Sequence, residues 1–252
     1  MNINEQIDMH CTNLCDDYNI DILFAIESGS RLWRMNSSDS DYDVRLVYKY
    51  PISDYLRIHN RRGVINKTVD DIDIVGFDLY KFIRLLINSN PSIIEWLNSD
   101  IVYIDDNYSK EFLSNFITDN FNPIALFHHY RSMCKNNYLS YLKSSRQLTY
   151  KKYLYAMRGL VNAKWVAQKM SIPPIRFIDA VKEVQLDDDV RNKIFEVIDI
   201  KKDGCEGTYI SKLHLFENYI EDFLDTKYKM PSFNMQNVNT LQDFVYETLG
   251  VY

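Results

Sequence analysis

Residues 41–50 read DYDVRLVYKY, an alternating run that places Asp41 and Asp43 on one face of an extended strand. Same-face neighbours in a strand stand roughly 6 to 7 Å apart at the backbone. Two carboxylates held that close are costly unless a cation joins them, so this short stretch sets an electrostatic problem that the rest of the chain must solve.

The chain has the means to build a core around such a strand. It has 252 residues, 46% of them hydrophobic, enough for one sizeable core or two smaller ones packed together. Cysteines at 11, 15, 134 and 205 show neither paired metal-ligand spacing nor a secreted disulfide framework, which indicates a reducing, cytoplasmic setting. The N-terminus MNINEQIDMHCTNLCDDY lacks the basic start and apolar centre of a signal peptide. No uncharged apolar run approaches membrane-spanning length, so a soluble protein without a membrane partner is expected.

Charge is segregated along the sequence. The formal net charge is -6, yet residues 120–178 hold ten Lys and Arg and no Asp or Glu. One region of the chain should therefore attract anions while the remainder could hold divalent cations.

Periodicity divides the chain in the same way. A first helix is expected over 3–18, with Ile3, Ile7, Cys11 and Leu14 on one face, followed by a buried strand, IDILFAIE. DYDVRLVYKY is a second strand stopped by Pro51, TVDDIDIVGF (68–77) a third, and DLYKFIRLLINS (78–89) a helix. Asn90-Pro91 opens a further helix, PSIIEWLNS, ahead of a short IVYI strand. Beyond about residue 107 the patterns are helical, broken at Pro173-Pro174 and Asp203-Gly204. The expected class is α+β: a mixed-sheet domain over 1–105 with flanking helices, then a helical domain over 106–252 with a basic face.

The charge problem acquires a chemical meaning from the residues around it. A spacer of ten residues, 31–40, separates Asp41 from Gly29-Ser30, a turn where the absence of a side chain permits close backbone approach and where N–H groups and the Ser30 hydroxyl could hold phosphate oxygens. Asp73, in I-D-I, is placed to supply a third carboxylate from a neighbouring strand, with Asp71 on the same face as its rival. Hard oxygen ligands of this kind suit magnesium, which binds through a few carboxylates together with substrate phosphates.

Gly29-Ser30, the spacer, Asp41-x-Asp43 and the later Asp73 together resemble the nucleotidyltransferases of the DNA polymerase beta superfamily. ESGSRLW, SDSDYDVR, the GFD with its helix, SNPSIIEWL and KKYLYAMRGL are similar to a branch that includes members associated with RNA repair, so the resemblance covers roughly residues 20–170. Arg34, Phe77 and Gly159 stand where that branch commonly has Gly, Trp and Pro. The resemblance implies transfer of a nucleoside monophosphate from a nucleoside triphosphate to an acceptor hydroxyl, with release of pyrophosphate. It implies two magnesium ions, manganese being possible, held by Asp41, Asp43 and Asp73. Gly29, Ser30 and Arg31 would hold the triphosphate, and Asp73 would serve the acceptor hydroxyl.

Helix 151–169 offers a second group. Lys151, Tyr155, Arg158, Asn162, Trp165 and Lys169 share one face, and Leu154, Met157, Leu160 and Val161 form an apolar stripe opposite. Lys152 and Arg158 are expected to contact the triphosphate or an acceptor phosphate, a solvated basic face being the plainer alternative. His10, Cys11 and Cys15 share a helix turn but lack a second ligand pair, so packing is expected of them rather than zinc. Trp33 and Trp96 are expected to be packing residues. The aromatic-rich basic segment favours an RNA 3' end as acceptor, with protein adenylylation as the alternative and nucleotide binding without turnover as the third reading.

Overall fold

The computed structural model describes residues 2–38, 40–58, 61–145, 147–204, 209–230 and 237–251. Arg146, one of the ten basic residues of the acid-free block, and Cys205 lie outside the described residues. The chain gathers into two compact units. Residues 1–32, 41–121 and 235–252 make the first; 33–40 and 122–234 make the second.

The first unit opens with α1 (Ile3–Tyr18), which starts where the sequence can close a capping box. The Asn2 side chain accepts the Glu5 N–H at 2.9 Å and the Glu5 carboxylate accepts the Asn2 N–H at 2.9 Å. Then come β1 (Asp21–Glu27), a single turn α2 (Gly29–Leu32), β2 (Tyr42–Lys49), a turn α3 (Ile52–Tyr55), β3 (Val64–Val69) and β4 (Ile72–Asp78). α4 (Leu79–Ile87), α5 (Pro91–Leu97), β5 (Val102–Asp105) and α6 (Ser109–Asn120) complete the run. Asn90 caps α5 by accepting the Ser92 N–H, and Pro91 occupies the first turn, where a missing N–H costs nothing.

The run 68–77, expected as one strand, is two. Asp70 turns the chain with φ 49°, a left-handed conformation that aspartate tolerates, and Val69 pairs back onto Ile72 in an antiparallel hairpin. Both arms alternate, so periodicity carried straight through the turn. The sheet order is β3-β4-β2-β1-β5, with β2 and β4 parallel and every other pair antiparallel.

One face of that sheet carries Val44, Leu46, Tyr48, Ile72 and Ile74 against Ile7, Cys11 and Leu14 of α1, all buried. On the other face Phe77 packs against Trp96 of α5 with ring centroids 4.8 Å apart and planes tilted by 30°, and Phe24 meets Phe82 of α4 edge-on at 5.7 Å. Trp96 is thus a packing residue. Burial pushes the Cys11 thiol up to about 12, as expected of a small core hydrophobe. Residues 43, 45 and 47 of β2 share their face with 73, 75 and 77 of β4 because the two strands run in parallel register, and Asp41 lies just ahead of β2.

The second unit consists of α7 (Pro123–Asn137), which passes into a π-helical turn at Tyr138–Leu142, then α8 (Tyr150–Lys169), α9 (Phe177–Glu183), α10 (Asp188–Asp203) and α11 (His214–Asp225). α8 is buried on more sides than an amphipathic pattern suggests: Arg158, Asn162 and Trp165, expected on a polar face, are buried with the apolar stripe. Gly159 explains how α7 comes so close, since a Cβ there would stand 2.7 Å from the Cys134 backbone nitrogen. The last helix, α12 (Val238–Leu249), belongs to the first unit, where Lys49 donates to the Thr248 carbonyl at 2.8 Å. No helix among the described residues is long and apolar enough to cross a membrane.

Candidate active site

The N-terminal ends of β2 and β4 bring Asp43 and Asp73 side by side as register partners, so the carboxylates stand on adjacent strands about 4.8 Å apart at the backbone. Asp41 precedes β2 at an exposed position, and Asp71 precedes β4 within the hairpin turn, also exposed. Asp71 contributes its carbonyl, which accepts the Tyr42 N–H at 2.7 Å and holds the two strands together at this end.

The Gly-Ser turn lies directly against this pair. Gly29 has φ +61°, and a Cβ built on it would fall 1.9 Å from Asp43 Oδ2. Only hydrogen fits, for both the backbone conformation and the space. Ser28 donates its N–H to the Asp43 carbonyl at 2.9 Å, and Ser30 is buried. Arg31 donates through Nε to the Asp41 carbonyl at 3.1 Å and lies 3.8 Å over the Tyr42 ring, so it ties the turn to the start of β2.

Behind the turn sits Glu27, whose carboxylate accepts the Asp43 N–H at 2.9 Å and the Tyr103 hydroxyl at 2.5 Å. Burial pushes the Glu27 carboxyl above its ordinary range, with the two donated hydrogen bonds pulling the other way. Burial, reinforced by the neighbouring Glu27, likewise raises the Tyr103 phenol. Glu27 therefore orients the backbone of Asp43 from the β1 side.

The residue that sequence reasoning missed is Arg45. Its Nη2 lies 2.8 Å from Asp43 Oδ1 and 3.0 Å from Asp73 Oδ2, while Nη1 donates to the Val44 and Asp73 carbonyls at 2.9 and 2.8 Å. Thr68 adds a hydroxyl to Asp73 Oδ1 at 3.2 Å. The signal was available: Arg45 continues the same-face alternation of Asp41 and Asp43. Its guanidinium supplies the positive charge that two neighbouring carboxylates require.

Among the described residues no group of three or more His, Cys, Asp or Glu stands close enough together to hold a metal ion. The donors are nonetheless of the kind that magnesium takes, hard carboxylate oxygens on a half-exposed rim, and Arg45 now neutralises the charge that a cation would neutralise. Asp43 and Asp73 would be open to a divalent ion only where Arg45 leaves its place between them.

Lys152 and Arg158 belong to the second unit. Lys152 donates through Nζ to the Gln147 carbonyl. Arg158 is buried, with its guanidinium 3.6 Å over Trp33, whose ring also meets Tyr155 edge-on at 5.7 Å. Residues 33–40, which separate the Gly-Ser turn from Asp41, cluster with this unit, and Lys201 Nζ donates to the Met35 carbonyl at 2.7 Å within it. Arg34 in that segment adopts φ 59°, a left-handed conformation that favours glycine.

A Gly-Ser turn in contact with an Asp-x-Asp strand, and a further aspartate in register on the parallel neighbour, is the arrangement expected of a polymerase beta-type nucleotidyltransferase. Comparison with known proteins makes the class particular: the sequence matches the RNA repair pathway DNA polymerase beta family over residues 3–245. The chain belongs to that family. It is 34% identical over 205 residues to the uncharacterized protein YcgL of Bacillus subtilis, covering 81% of this chain and 78% of that one. It is 27% identical over 215 residues to the uncharacterized protein MJ0002 of Methanocaldococcus jannaschii, covering 82% and 84%. A solved nucleotidyltransferase-like protein from Exiguobacterium sibiricum aligns with 98% of this chain and 80% of its own at 14% identity and a TM-score of 0.31, too loosely to bear on the fold.

Proposed function

We propose that the chain transfers a nucleoside monophosphate from a nucleoside triphosphate to an acceptor hydroxyl, the 3' end of an RNA strand being the preferred acceptor. The reading rests on family membership and on one observation, the in-register pairing of Asp43 and Asp73 against a glycine whose missing side chain leaves room for Asp43.

Gly29 and Ser30 present the turn along which the triphosphate lies, and Arg31 steadies that turn from the start of β2. Asp41, Asp43 and Asp73 would hold two magnesium ions, or manganese, which when bound stabilise charge on the α-phosphate and on the attacking and leaving oxygens. A bond forms between the acceptor oxygen and the α-phosphorus, the bond from that phosphorus to the β-phosphate oxygen breaks, and pyrophosphate leaves. The acceptor proton passes to the Asp73 carboxylate, which Thr68 orients. Arg45, which now pairs with Asp43 and Asp73, would have to give up those contacts for cations to be held there, and its charge would then be free to favour an anionic substrate.

The test is incubation of the protein with magnesium and each labelled triphosphate, offering RNA, DNA and cell protein as acceptors. Label in RNA is expected, and label in protein alone would replace the RNA acceptor with adenylylation. Asp41→Ala combined with Asp43→Ala should lower transfer by at least about a hundredfold with the fold intact. Undiminished transfer by that variant would refute the site.

A further inference from the structure

The opposite end of the same sheet carries charge of the other sign. Asp73 and Asp78 lie at the two ends of β4, five residues or about 16 Å apart along the strand. Beside Asp78 a cavity of about 760 Å³ opens next to the first turns of α4, lined by Tyr55, Arg61, Asp78, Tyr80, Lys81 and Arg84 among others. The unit that contains it holds 21 Asp and Glu against 10 Lys and Arg. Three cations facing one carboxylate therefore reverse the sign of their surroundings.

The one carboxylate does not cancel them, because it is spent inside the wall. Asp78 is 3% exposed. It accepts the Tyr55 hydroxyl at 2.9 Å, both Arg61 Nε and Nη2 at 3.3 Å, and the N–H groups of Tyr80 and Lys81 at 3.1 and 3.4 Å as cap of α4. These bonds commit its lone pairs and immobilise Arg61, whose guanidinium lies 4.1 Å over Tyr55 and 5.3 Å over Tyr80. A cation held in advance loses little freedom when an anion arrives. Lys81 rests its Nζ 5.0 Å from the Phe77 ring, and Arg84 stands exposed one helical turn further along α4.

We propose that this cavity is a second phosphate-binding site, which takes successive phosphates of a nucleic-acid strand on Lys81 and Arg84, with Arg61 as the fixed member. The phosphate chemistry stands on the cavity itself; only the choice of a nucleic-acid strand rests on the nucleotidyl-transfer reading. Its volume lies within the range of ordinary ligand pockets, about 300 to 1,000 Å³, and exceeds what a lone phosphate fills.

The test is fluorescence anisotropy of a labelled single-stranded RNA with the full-length protein in EDTA, so that no transfer is needed. Lys81→Gln combined with Arg84→Gln should weaken binding about tenfold or more and reduce the slope of log affinity against log salt by about 1.4, the change expected when two phosphates go without their cations. Lys193→Gln, which removes a cation paired with Glu196 in the second unit, should change neither quantity. Competition by ATP and by inorganic phosphate separates the sources. RNA held against millimolar ATP supports a strand, displacement by ATP supports a free nucleotide on the same phosphate groups, and both uphold phosphate binding. Unchanged affinity and slope in the double variant, an equal loss in Lys193→Gln, or no RNA binding by the native protein would overturn the proposal. Binding is read in EDTA and transfer in magnesium, so failure of the catalytic reading and failure of this one remain distinguishable.

Discussion

The two ends of the parallel pair β2 and β4 each join an arginine to carboxylate, yet the joins differ in kind. At the C-terminal end a single buried aspartate, Asp78, receives five donors and fastens Arg61. At the N-terminal end one arginine, Arg45, is shared between two aspartates whose side chains are 28% and 38% exposed. A carboxylate saturated by its own fold can only be structural. Two carboxylates that depend on one shared cation, at a water-facing rim, can exchange that cation for another. The comparison separates an aspartate that builds the sheet from aspartates that the sheet displays.

Removing the buried carboxylate should have the largest effect on stability. Asp78→Ala deletes the cap of α4 and leaves Arg61 half-buried without its counter-charge, at a cost of about 3 kcal/mol measured by urea unfolding. A cost no larger than that of Arg45 substitution would erase the distinction between the two ends. Gly29→Ala comes next, at about 1 to 2 kcal/mol for the left-handed backbone alone, because its Cβ must also push the Asp43 carboxylate aside. Transfer activity should therefore fall more than unfolding data suggest, and activity equal to the native protein would mean that Asp43 has freedom to move.

Arg45→Met should show the smallest change, about 1 kcal/mol in EDTA, since the pairs it removes are partly solvated. The informative quantity is its response to magnesium: the melting temperature of the variant should rise more with the metal than that of the native protein does. An equal rise in both would mean that Arg45 and the cation do not compete for the same carboxylates.

The local signals that survive folding were legible in the chain itself. α1, β1, β2, α4, α5 and β5 fall close to where periodicity, caps and Pro91 put them, because the alternation, apolar spacing and capping residues that mark each of them lie within a few residues of sequence. Gly29, Asp41 and Asp43 stood out for the same reason, and family membership was readable from their combination. The hairpin at Asp70 was not, since both arms alternate and the turn has no glycine to announce it.

What the amino-acid order determined alone is the set of parts: an α+β chain, a Gly-Ser turn, the carboxylates of Asp41 and Asp43 two residues apart and a candidate third further on, while the structure starts β2 at Tyr42 and leaves Asp41 ahead of the strand. Tertiary structure decided which parts meet. Parallel register chose Asp73 over Asp71 as the partner of Asp43, turned Arg45 into the shared counter-ion, and buried Arg158 against Trp33 on a helix whose pattern looks solvated. The physical reason is that hydrogen-bond register and burial are set by residues distant in sequence, and side-chain spacing along one element carries no record of them.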